Sequence, residues 1–513
     1  MSKQTFIKGA IILIIAGMIS RLLGFVNRIV MARLLGEDGI GIYMLSLPAL
    51  FLMITLSQIG IPVAVSKLVA EANVVNDQKR IRLILLISFS ITICLSILLS
   101  ALFVVAVPFV TTYLITDSRT FIPMLVMTPI ILIIAISSVI RGYFQGMQNM
   151  VPQATSQVIE QVFRILLVVI FVKQLLPYGI EWAAAGAMFS VVLGELLSLC
   201  YMLLCFKKYK HISIFTSLRK PIQKCKETFV NILQIALPTA GTRMIGSTTY
   251  FLEPILVSQS LLIAGYTIAE STKLYGQLTG YVLPLLLLPT FITHSISVAL
   301  IPSISESNSL NHQETIRFRL TQALRISFAS GGLATIVFML LAASILEVMY
   351  GSQSGATFLT FMAPFFLLLY FQAPLQATLQ ALNFAKQAMV NSLVGALVKL
   401  ATLWILATNP SFGMDGVMLS LLIGIITVTL LHFISLYKLI HYTFPLMLFV
   451  RMLLVLGITY TTGFNLKIFF TDGSILSIIS IILILSIVYL FLLFCFKLIQ
   501  KDEFRHFRLS NKG

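Results

Sequence analysis

The chain has 513 residues, 58% of them apolar and 10% charged, against about 45–50% and 25% in an ordinary soluble domain. That balance excludes a soluble enzyme. Apolar runs of the ~20 residues that a bilayer crossing needs recur so often that no length remains for a soluble catalytic domain. A net charge of +17 would suit a nucleic-acid binder if it were clustered on a polar domain, but it is distributed between apolar runs.

In chain order the predicted spans are 6–35, 42–68, 83–110, 122–147, 158–176, 183–206, 229–258, 277–301, 323–346, 358–382, 389–407, 416–438, 444–464 and 475–496. The prediction is an all-α polytopic membrane protein with about 14 transmembrane helices. Lys3 and Lys8 precede an apolar run with no small-residue cleavage site after it, so the first helix reads as retained rather than as a signal peptide. With the N-terminus inside, 21 of the 35 basic residues fall in cytoplasmic stretches and four in outer loops. The positive-inside rule then places both termini in the cytoplasm of a multi-pass protein of the cell membrane. The basic stretch 207–226 suits anionic membrane lipids and not nucleic acid. The five cysteines have neither disulfide nor zinc spacing and read as small packing residues.

The spans repeat. Ser20-Arg21-Leu22-Leu23-Gly24 matches Thr242-Arg243-Met244-Ile245-Gly246. Gln145-Gly146-Met147 with Arg164 matches Gln380-Ala381-Leu382 with Lys399, 235 positions later. Gly186, Met188, Ser190 and Gly194 match Gly416, Met418, Ser420 and Gly424, 230 positions later. The order is kept and the offset shifts only where loops differ, which predicts two pseudo-symmetric six-helix lobes. The division is 1–206 for the first lobe, 207–228 for a basic linker and 229–440 for the second lobe, then 441–498 for two additional helices and 499–513 for a basic tail. An even number of helices per lobe directs the pseudo-twofold axis along the membrane normal. Arg21 and Arg243 then lie at equal depth, each ~20 Å along its helix, facing one another across the axis.

A guanidinium at the bilayer centre costs at least ~2.5–3.5 kcal/mol unless it meets water or a partner. Arg21 and Arg28 form a stripe on the first helix, being seven residues and so ~20° apart on the helical wheel, and such a stripe favours an anionic cargo. The competing reading is structural, with each arginine paired to Glu160, Glu195 or Glu253. Glu160 and Arg164 are spaced to neutralise one another, as are Lys67 and Glu71. Glu253-Pro254 offers a proton or cation site, with Glu160 a second candidate for coupling. His294 and His432 read as satisfied polar contacts. Pro48, Pro62, Pro129, Pro284, Pro289, Pro364 and Pro374 kink or break helices, and Gly142-x-x-x-Gly146 and Gly276-x-x-x-Gly280 permit close packing. Nucleotide-hydrolysis, zinc-protease and serine-hydrolase motifs are absent from the sequence. The expectation is therefore a carrier, not an enzyme, with no cofactor and no metal.

At Ser20-Arg-Leu-Leu-Gly-Phe-Val-Asn-Arg-Ile-Val-Met-Ala-Arg-Leu-Leu-Gly36, Gly60-Ile-Pro-Val-Ala-Val-Ser-Lys-Leu-Val-Ala-Glu-Ala72 and Ile136-Ser-Ser-Val-Ile-Arg-Gly-Tyr-Phe-Gln-Gly146, the chain resembles the polysaccharide and lipid-linked oligosaccharide exporters of the MOP (MATE-like) superfamily. The resemblance implies a fourteen-helix flippase fold with a central cavity that opens alternately to either side. It implies an undecaprenyl-diphosphate-linked peptidoglycan precursor as cargo and a role in spore cortex synthesis. It also gives Arg21, Arg28 and Arg243 the role of attracting the diphosphate, although Asn27 stands where the related motif ends in arginine; Arg164 is a fourth candidate for substrate binding on the fifth span. Partners on this reading are the lipid-linked oligosaccharide diphosphate, anionic lipids and cell-wall synthesis enzymes. A cation-coupled multidrug antiporter and a non-transporting scaffold for cortex-synthesis enzymes are the alternatives.

Overall fold

The computed structural model describes residues 3–208, 222–469 and 474–499, so most of the predicted basic linker and the basic tail lie outside the described residues. Among these residues there is no strand. Two compact units result, Met1–Gly280 and Tyr281–Gly513. The first holds α1 (Lys3–Gln58), α2 (Ile61–Val74), α3 (Gln78–Phe109), α4 (Phe121–Met127), α5 (Ile130–Gly146), α6 (Val151–Leu175), α7 (Ile180–Lys208), α8 (Ile222–Ile263) and α9 (Ile268–Gly276). The second holds α10 (Leu283–Leu286), α11 (Thr290–Ser309), α12 (Gln313–Tyr350), α13 (Ala356–Ala381), α14 (Ala385–Ala407), α15 (Gly413–Ile440), α16 (Leu446–Phe469) and α17 (Ile475–Cys495).

Ten stretches among the described residues are long and apolar enough to cross a membrane, or eleven if the pair broken before Thr290 is one span. This multi-pass membrane protein thus departs from the predicted tally for identifiable reasons. The first two predicted spans run together in one 60-residue stretch, Ile15–Val74. It is three times the ~20 residues of one crossing and is interrupted at Gly36, φ 64°, and again at Gly60, φ 68°. Both values lie in the left-handed region that glycine enters without penalty. Helices α6 and α8 fall outside the ten; α6 carries Glu160, Arg164 and Lys173, and α8 carries Arg243 and Glu253.

The prolines divide into two groups. Pro62 and Pro284 sit in the first turns of α2 and α10, and Pro129 and Pro289 precede α5 and α11, where a missing N–H costs nothing. Pro48, Pro364 and Pro374 lie inside α1 and α13. Both small-residue motifs make close contacts. A β-carbon on Gly142 or Gly146 would come within 2.7 Å of the Pro62 or Ser66 carbonyl oxygen, and one on Gly276 equally near the Glu37 carbonyl.

The first core joins α2, α3, α5 and α7 through Val65, Val69, Ile84, Tyr143 and Met202, and Ile232 and Ala236 of α8 complete it. By packing, α8 and α9 therefore belong with the first unit, although the sequence repeat starts a second lobe near residue 229. In the second unit, Leu324, Phe328, Leu375, Leu436, Val455 and Leu493 close the core, and α16 and α17 pack on α12. The Tyr489 hydroxyl donates to the Phe328 carbonyl at 3.0 Å.

Paired contacts match the paired sequence. In the first unit Gly194 of α7 lies over Arg164 and Gly186 over Phe171 of α6; in the second, Gly424 of α15 lies over Lys399 and Gly416 over Leu406 of α14. Glu71, by contrast, pairs with Arg80 at 3.8 Å, not with Lys67, because the turn after α2 brings α3 back beside it.

Asp117, in the connection between α3 and α4, is buried and ties this connection to α9. It accepts bonds from Arg119 Nε at 3.0 Å, Arg119 Nη2 at 2.7 Å and Thr272 Oγ1 at 2.6 Å. Burial alone would raise its pKa, but these donors outweigh it and hold the carboxyl below its usual range. A carboxyl lowered on folding adds stability that is complete above its unfolded pKa and is lost as pH falls through the folded value. Thermal midpoints measured against pH should therefore fall below about pH 4 in the wild type. Asp117→Asn should be less stable at neutral pH and should show a flatter acid limb.

Candidate functional site

The candidate residues of the first unit converge where α1, α6 and α7 pack together, with α5 against α7 and α8 against α1. Local sequence explains the approach. Gly24, between Arg21 and Arg28, has no side chain, so α1 lies over Gln161 of α6; a β-carbon there would be 3.5 Å from Gln161 Oε1. Gly194 brings α7 nearer still to α6, a β-carbon there being 3.2 Å from the Glu160 carbonyl oxygen.

The polar face of α6 is neutralised from two directions. Arg164 Nη2 donates to Glu160 Oε1 at 2.5 Å, the i,i+4 pair that the spacing allows. Arg141 Nη2 of α5 donates to Glu195 Oε1 of α7 at 2.6 Å, and the Glu195 side chain is 4% exposed. Glu160 and Glu195 are also within hydrogen-bonding reach of one another. The two acids and two arginines thus form one buried network, in which each charge offsets the desolvation of another. Its donors are not exhausted, since the Nε atoms of Arg141 and Arg164 are buried with no partner among the described residues; two acceptors, Gln161 Oε1 and Asn27 Oδ1, are likewise buried and unpartnered there.

Arg28 is different. It is half-buried on α1 and forms no ion pair or hydrogen bond with a described residue. Its charge acts on two phenols: Arg28 and Arg164 both lie within electrostatic reach of Tyr43, and Arg28 and Glu253 within reach of Tyr250. Tyr250 is fixed by an edge-on contact with Phe51, ring centroids 5.8 Å apart. Glu253, buried on α8, also faces Tyr275 of α9. Arg21 and Arg243 are exposed, on helices that pack together, and Arg243 pairs with no carboxylate among the described residues.

Of the predicted residues, then, Arg28, Arg164, Glu160 and Glu253 are brought into one constellation, while Arg21 and Arg243 stand at exposed positions beside it. Sequence reasoning did not select Arg141, Tyr43 or Tyr250. Arg141 carried a signal, being a charge inside the apolar run 122–147. The tyrosines carried none, because a phenol in a span is ordinary. His432 is a satisfied contact, its Nδ1 3.0 Å from Asn391 Nδ2. No group of three metal-ligating side chains occurs among the described residues.

The family described as polysaccharide biosynthesis protein matches residues 6–308. Stage V sporulation protein B of Bacillus subtilis (strain 168) is 47% identical over 507 residues, 98% of each chain. The chain belongs to the polysaccharide biosynthesis protein family. Solved structures share its fold. The lipid II flippase MurJ in an inward closed conformation superposes with a TM-score of 0.71 at 18% identity, covering 94% of this chain and 98% of that one. An inward-facing multidrug resistance MATE family transporter of the MOP superfamily gives 0.63 at 17% identity, covering 82% and 94%. The family member thus has the MOP-superfamily fold, on which its own arginines, acids and tyrosines are placed.

Proposed function

We propose that this member of the family is a flippase that carries an undecaprenyl-diphosphate-linked peptidoglycan precursor of the spore cortex from the inner to the outer leaflet by alternating access. The observation that carries the reading is the contrast between Arg28 and its neighbours. Arg141 and Arg164 have carboxylates of their own, whereas Arg28 holds its charge among tyrosines inside a span. Of the three guanidiniums, Arg141 and Arg164 are held by carboxylates and Arg28 pairs with none among the described residues, so Arg28 is the charge open to an anionic cargo. A diphosphate accepts charge-assisted, bidentate bonds from arginine, and Tyr43 and Tyr250 add hydroxyl donors. Arg21 and Arg243 would meet the headgroup at the exposed margin while the polyprenyl tail stays in lipid.

The sporulation name of the 47%-identical relative and the lipid II flippase that shares the fold support this cargo. Glu253, buried beside Tyr250 and Tyr275, is our candidate for ion or proton coupling; Glu160 is committed to Arg164. An orientation with both termini in the cytoplasm fits the basic loops. The test is translocation of labelled precursor by the purified chain in proteoliposomes.

A further inference from the structure

Three connections of the chain meet on one face of the first unit. They join the first predicted span to the second, the third to the fourth and the seventh to the eighth, so they share one side of the bilayer, the outer side by the positive-inside rule. Lys273 Nζ of α9 is 3.3 Å from Glu37 Oε2 of α1, and Gln277 Nε2, just after α9, donates to the same oxygen at 2.7 Å. Thr272 Oγ1 donates to Asp117 Oδ2 at 2.6 Å. Arg119, which holds Asp117, is also within electrostatic reach of Asp38, the neighbour of Glu37.

Beneath these bonds the two segments touch backbone to backbone. A β-carbon on Gly41 would strike the Thr272 carbonyl oxygen, one on Gly276 would be 2.7 Å from the Gly41 nitrogen, and one on Gly280 would be 2.6 Å from Ile40 Cγ1. Every residue of α1 from Gly39 to Leu50 is buried, whereas Arg21, nearer the other end, is exposed. The seam therefore covers α1 on the outer side of Arg28.

Its composition suits a contact that opens. By sequence α9 follows the start of the second repeat, yet these polar bonds hold it on the first unit. The Glu37 side chain is 17% exposed and that of Lys273 49%, and ion pairs so exposed contribute little. The buried Arg141–Glu195 pair is the opposite case, because parting it strands a charge. Glycines at the seam leave few interlocked side chains to separate. Beyond Gly276 the chain takes a π-helical turn, Gln277–Val282, a rare form that recurs at functional sites.

We propose that these residues form an outer latch, in which Thr272, Lys273 and Gln277 hold Asp117 and Glu37 while the chain is closed to the outside and release them when it opens. The inference rests on the alternating-access reading, to which it adds the contacts of the outer gate.

The experiment uses the full chain in nanodiscs, its five cysteines changed to alanine, with Ser271→Cys as reporter. Ser271 is buried and adjoins Thr272. A charged thiol reagent that does not enter the bilayer should label it slowly in the chain with an intact latch. Labelling should be about fivefold faster in Lys273→Glu, the shift in opening that loss of a partly exposed ion pair gives. Glu37→Lys with Lys273→Glu should return it to the slow rate, since the pair re-forms with its signs exchanged. Ser198→Cys, buried on α7, should stay slow in all three. Fast labelling of Ser271→Cys with the latch intact overturns the proposal, as does a rate that is unchanged in Lys273→Glu, that stays fast in the charge-exchanged chain, or that rises together with that of Ser198→Cys. No cargo is present in this measurement, so failure here and failure of the flippase reading are distinguishable.

Discussion

Arg28→Ala should weaken binding of an undecaprenyl-diphosphate lipid by about 10- to 100-fold while leaving the fold intact. A hydrogen bond to a charged group contributes ~1.5–3 kcal/mol, and each 1.4 kcal/mol is a factor of ten in affinity. The fold is spared because Arg28 pairs with no acid among the described residues, so its removal leaves no carboxylate stranded. Arg28→Lys should fall between the two, since the charge remains but the planar fork that grips two oxygens does not. Titration of a fluorescent diphosphate lipid into nanodiscs, with the thermal midpoint as control, measures both quantities. Wild-type affinity in Arg28→Ala would remove this residue from the cargo site.

Arg141→Ala should do the reverse. It strands the Glu195 carboxylate, 4% exposed and 2.6 Å from the lost guanidinium, and breaking a buried pair from one side costs ~3–5 kcal/mol. The expected result is a marked fall in thermal midpoint and in the amount of folded protein recovered from membranes. Arg141→Ala with Glu195→Ala should recover much of the loss, because the double variant leaves no buried charge unpaired and the two effects are not additive. Equal losses in single and double variants would show that the pair is not the source of the effect. Together the two substitutions separate an arginine that meets cargo from one that holds helices together.

The sequence made the class of molecule plain through its apolar runs, and it revealed the repeat, whose glycines and cations recur in matching contacts at Gly194 with Arg164 and Gly424 with Lys399. It also showed that the arginines in the first helix required an explanation. Periodicity alone did not disclose that α8 would pack with the first unit, because that depends on Ile232 and Ala236 meeting a core whose other members lie between Ile61 and Met202. Spacing did pair Arg164 with Glu160, as the structure has them. It did not show that Arg141 and Glu195 join them, which depends on the three-dimensional approach of α5, α6 and α7. The span tally was blurred where charge lowers hydropathy, at α6 and α8, and where a kink at Gly36 lets two crossings read as one helix.

The central claim is that the chain moves a diphosphate-linked lipid across a bilayer. The measurement that meets it most directly is the appearance of labelled undecaprenyl-diphosphate-linked precursor in the opposite leaflet of proteoliposomes, with and without an imposed membrane potential. Transfer faster than in protein-free vesicles, reduced in Arg28→Ala, is the predicted result. A rate equal to that of protein-free vesicles under both conditions, from protein shown to be folded and inserted, would contradict the account.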